Sequence, residues 1–83
     1  SDRNTFQAAI MRAWLSTHEE LLGGDETEVA RFIEMYSAVF SRLYEEARGT
    51  LPKQASAIPE IVNEWVKGME AEWLRYKHQT RVV

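Results

Sequence analysis

The chain has 83 residues, 45% of them hydrophobic and 28% charged, with a formal net charge of −3, four glycines, two prolines and no cysteine. That is the size and make-up of a single helical domain, 1–83, without disulfides, a thiol nucleophile or cysteine-held zinc. A domain this small buries only roughly two-thirds of its unfolded surface, so its core is marginal and association is a physical option. No apolar run approaches the roughly 20 residues of a membrane span and the N-terminus lacks the layout of a secretory signal, so no membrane partner and a cytoplasmic location are the expectations. A chain that starts at Ser1 reads as either a processed small protein or an excised domain.

The first helix is predicted over about 5–22, with Asn4 or Thr5 able to cap its start and Gly23-Gly24 able to end it in a left-handed turn. Asp25 and Glu28 then stand in the spacing of a capping box, which starts the second helix at once, over about 26–48. Its apolar set is Val29, Phe32, Ile33, Tyr36, Val39, Phe40, Leu43, Tyr44 and Ala47, and these positions cover an arc of roughly 140°. Arg31, Glu34, Arg42, Glu45 and Arg48 occupy the opposite arc. Gly49, Pro52, Ser56 and Pro59 punctuate a linker with room for one short turn around Lys53 to Ser56. Pro59 suits the first position of a third helix, where its missing N–H would be unpaired anyway, with Ser56 or the residues just after it as the cap.

The third helix, about 58–79, sets Ile58, Ile61, Val62, Trp65, Val66, Met69, Trp73 and Tyr76 against Glu60, Glu64, Lys67, Glu70 and Lys77. No segment alternates in the manner of a strand, and there is no internal repeat. The expected fold class is all-α: a small antiparallel three-helix bundle, open to completion by dimerisation, whose Gly-Gly turn makes the first two helices neighbours.

Charge is unevenly spread. Glu19, Glu20, Asp25, Glu26 and Glu28 fall in a stretch without Lys or Arg, and from Trp73 onward Arg75, Lys77 and Arg81 are uncompensated. Acids before and within the first turn of a helix and bases near its end are favoured by the helix dipole, which accounts for Asp25, Glu26 and Glu28 and for the basic tail. Phosphate neutralisation needs concentrated Lys and Arg, so nucleic acid is not an expected partner. A helix-turn-helix reading meets the same objection, because the would-be recognition helix opens with acids.

Helix one carries two apolar edges. Phe6, Ala9, Ile10, Ala13, Trp14 and Leu21 form the face expected to meet the other helices, while Met11, Leu15 and Leu22 continue round the far side. A helix apolar over about two-thirds of its circumference is buried on several sides, which three helices alone do not provide. Met11, Trp14, Leu15 and Leu22 are therefore the expected contact stripe for a second copy or another protein. Trp73, Leu74 and Tyr76 form a secondary candidate surface, Leu74 lying opposite the apolar arc of its helix. The three tryptophans read first as core fillers with the indole N–H at a wet edge. Glu72 falls inside the apolar arc, where a carboxylate needs a partner, so it is expected at the edge of the core, snorkelling to water or pairing with an arginine.

Catalytic chemistry finds little support. The two histidines, His18 and His78, are in no ligand-like spacing, and neither H-E-x-x-H nor Glu-x-x-His occurs. Ser16, Ser37, Ser41 and Ser56 lack a nucleophile-elbow context. Gly23-Gly24 precedes a helix but lacks the lysine and spaced glycines of a phosphate loop, and Asp25, Glu26 and Glu28 would repel phosphate. The expectation is a protein that is not an enzyme and has neither cofactor nor metal: an interaction module, adaptor or regulatory in kind, working as a homodimer and/or on another protein through the helix-one stripe. Two alternatives stand beside it, an accessory subunit or inhibitor that uses its acidic 19–28 segment on a basic partner, and a carrier of a small apolar ligand among the tryptophans.

Overall fold

The structure, a computed structural model, describes residues 2–19 and 23–82, the last three as backbone only. It is an all-α bundle of α1 (Asp2–Leu15), α2 (Glu26–Ala47) and α3 (Pro59–Val82), with a 3₁₀ turn at Ala55–Ala57 between the last two. The chain runs up, down and up: Phe6 meets Phe40 and Trp65, while Trp14 meets Phe32 and Trp73. No described helix is long and apolar enough to cross a membrane.

Local signals account for most of α2. Asp25 is extended, with φ −62° and ψ 137°, and its carboxylate accepts the N–H of Thr27 at 3.1 Å, satisfying a donor that the first turn leaves unpaired. Aromatic residues four positions apart then share one face. Phe32, Tyr36, Phe40 and Tyr44 form a ladder of near-parallel rings with successive centroids 6.5, 5.9 and 5.6 Å apart.

The start of α3 also follows local chemistry. Ile58 is extended, its carbonyl accepts the N–H groups of Ile61 and Val62, and Pro59 takes the first helical position. The chain reaches it through Gln54, the single non-glycine residue of positive φ among those described, at φ 56° and ψ 37°.

Helix α1 departs from expectation. It begins at Asp2 and ends at Leu15, well short of position 22. Ser16 and Thr17 turn their hydroxyls onto the carbonyls of Ala13 and Trp14, both at 2.7 Å. Hydroxyls bonded in this way occupy acceptors of the last turn and compete with continuation of the ladder. Helix α1 therefore does not reach Gly23, so the glycine turn does not end it.

Large rings make the core. Trp14, Tyr36, Phe40, Ile10 and Met69 are fully enclosed, joined by Phe6, Phe32, Met35, Ala55 and Trp73. Helix α3 packs closely on both α1 and α2. The α1 and α2 backbones stand further apart, with Phe6, Trp14 and the α2 ladder filling the seam, because the distance between helices follows the bulk of the side chains in contact. Across that seam the Tyr36 hydroxyl donates to the Gln7 carbonyl. Burial pushes this phenol well above its ordinary range, against a smaller opposing pull from the backbone of Met11.

Two further residues can be placed. Glu72 sits at the core's margin and meets Arg42 at 3.0 Å and Arg75 at 3.3 Å, the arginine pairing that its position calls for. Ile33, expected in the apolar arc of α2, is instead 50% exposed.

Candidate functional site

The stripe expected on helix one does not form a surface. Trp14 is fully enclosed, and this corrects its placement as a contact residue. Its ring stacks on Phe32 at 4.5 Å and stands edge-on to Trp73 at 6.2 Å, so the indole is part of the core. Met11 and Leu15 are half-buried and pack against the same cluster. Leu22 lies outside the described residues. The second edge of helix one is thus largely used inside the bundle, where a ring-filled seam leaves room for it.

The indole N–H of Trp14 finds a carboxylate in place of a wet edge. Nε1 donates to Glu70 Oε2 at 2.8 Å, and His18 Nε2 meets the same oxygen. His18 also stands edge-on to the Trp14 ring, 5.6 Å away. Partial burial pushes the Glu70 carboxyl up, but the bonds from Trp14 and His18 and the charges of His18 and Lys77 outweigh it and hold the group below the usual carboxylate range. This trio closes the lower end of α1 onto α3. Helical spacing did not point to this trio: His18 lies beyond the end of α1, and Glu70 lies on the arc read as polar. Among the described residues no group of three or more His, Asp or Glu is placed to hold a metal ion.

The secondary set fares differently. Trp73, Leu74 and Tyr76 line one open groove of about 500 Å³ between the first turns of α2 and the last turns of α3. Trp73 forms its base. At 3% exposure, held edge-on by Phe32 at 5.5 Å and stacked on Tyr76 at 6.0 Å, it is part of the core, and this corrects its placement as a contact residue. Leu74, one position on, points out of the core and is 57% exposed. Lys77 lies over the Trp73 ring, with Nζ 5.7 Å from its centroid, an arrangement that favours the cation.

Charge rims this groove on both sides. The α2 wall carries Asp25, Glu28 and Arg31, and the α3 wall carries Lys77 and His78. The walls therefore differ in sign, with an acidic excess on α2 and basic groups on α3. Periodicity in the sequence assigned Arg31 and Lys77 to solvated arcs but gave no sign that antiparallel packing would set them about one concavity.

Comparisons of the chain with models of protein families, with curated proteins and with solved structures find no match to any of them.

Proposed function

We propose that this chain is a non-catalytic protein-interaction module, adaptor or regulatory in kind, whose contact surface is the α2–α3 groove. The observation that carries the reading is Leu74: a leucine 57% exposed beside a tryptophan base, in a concavity of about 500 Å³ with charged groups around it. Interfaces that form and dissociate characteristically have an apolar centre holding aromatic anchors and a polar, wet rim. Covering Leu74 removes apolar surface from water, at about 25 cal/mol per Å². The acidic segment read in the sequence as a separate surface contributes Asp25 and Glu28 to the same rim, so its charge tunes this contact.

A photo-crosslinking side chain in place of Leu74 tests the reading directly. Irradiation in cells is expected to yield a discrete protein adduct, and the same group in place of Glu45, exposed at the far end of α2, is expected to yield none. Equal or absent adducts at both positions would refute the groove as a docking surface.

A further inference from the structure

Resting on the reading of the groove as a docking surface, the arrangement of its walls points to its occupant: we propose that a second copy of this chain covers it, groove against groove, about a two-fold axis running along the groove. Such an axis reverses left and right but keeps the direction of the groove. It therefore sets the α2 wall of one copy over the α3 wall of the other, with those helices antiparallel. Asp25 and Glu28 of each copy then face Lys77 and His78 of its partner, and each Leu74 is covered by the partner's groove. An isologous contact requires this self-complementarity, and a groove with walls of one sign would repel itself.

One further observation supports a second copy. Among the described residues Glu28 is in no ion pair although it stands on this rim, so a counter-charge from outside the chain has a group to meet.

The test is molar mass by light scattering after size exclusion, over a wide dilution series. Wild type is expected to show the mass of two chains at the concentrated end and to fall toward one on dilution. Leu74→Glu should weaken the dimer at least about thirtyfold, the effect of losing an interface anchor. Leu74 is exposed, so helical content by circular dichroism should stay unchanged, and Leu74→Asn serves as a milder second variant. Glu28→Lys alone and Lys77→Glu alone should each weaken association by setting like charges across the contact, and the double variant should recover it. A wild type that is monomeric throughout overturns the second copy as occupant, while adducts with a different protein from position 74 would still uphold the groove reading. A dimer indifferent to Leu74→Glu and to the charge reversals also overturns the proposal, because it then forms through another surface.

Discussion

Helices α2 and α1 both carry a strong apolar pattern, yet only α2 runs where that pattern says. It starts at Glu26 behind the Asp25 cap and closes at Ala47, one position from the end that the periodicity gives. Helix α1 stops at Leu15, roughly two turns before its pattern runs out. The difference lies in the range of the forces at each end. Asp25 bonds to a backbone N–H two residues away, a contact available as soon as the turn forms. Beyond Leu15, Ser16 and Thr17 take the last carbonyls of α1, and His18 is turned to Glu70, 52 residues further along the chain. The two hydroxyl bonds are as local as the Asp25 cap, and only the turn of His18 to Glu70 depends on a residue that neighbouring letters do not supply.

The largest effect should come from breaking the α2 ladder. Phe40 is fully enclosed and stacks between Tyr36 and Tyr44 while touching Phe6 and Trp65. Phe40→Ala should cost about 3–5 kcal/mol, the usual range for a large enclosed ring. A chain of this length has about 4–12 kcal/mol of stability in all, so denaturant unfolding should find the variant largely unfolded or with a greatly reduced midpoint. A loss under about 1 kcal/mol would mean that the ladder does not hold α1 against α2.

A smaller effect is expected where α1 ends. Glu70→Ala leaves the Trp14 indole N–H without its acceptor and His18 without its carboxylate. The loss should be about 1 kcal/mol at neutral pH, at the low end of the range for an orphaned donor because the Glu70 side chain is 36% exposed and water can take its place. The pH dependence gives a sharper signature. The Glu70 carboxyl is held below its ordinary value of 4.5, so its contribution is complete above that value and is lost as pH falls through the lowered one. Wild type should therefore lose more stability on acidification than Glu70→Ala, as measured by denaturant unfolding at successive pH values. Parallel curves would show that this carboxylate does not fix the end of α1.

The smallest change should be a gain. Gly68 lies inside α3, where a Cβ would meet Leu43 Cδ1 of α2 at 4.0 Å, an ordinary van der Waals distance. Gly68→Ala removes backbone entropy from the unfolded chain and should stabilise by about 0.5–1 kcal/mol, seen as a rise of several degrees in Tm. A fall in Tm would show that the α2–α3 seam is tighter than that contact distance implies.

The surface divides along the same lines as the helices. Leu74 was legible as an outward leucine because its place opposite the apolar arc of α3 follows from helical spacing alone. Trp14 was misplaced because a helix with two apolar edges does not say which edge its neighbours will cover, and here Met11 and Leu15 pack partly against the core cluster as well. Ile33 errs the other way, standing within the apolar arc of α2 yet half exposed.

Amino-acid order alone determined the all-α class, the start of α2, the role of Pro59 at the head of α3 and the place of Glu72 at the core's margin, since each depends on helical period, on caps within a few residues or on a charge that cannot stay buried alone. Tertiary structure decided the enclosure of Trp14, the choice of Glu70 as its acceptor and the meeting of Asp25, Glu28, Leu74 and Lys77 about one groove. Each of these joins residues distant in the chain, and their encounter depends on how far apart bulky rings hold the helices, a quantity that no single helix contains.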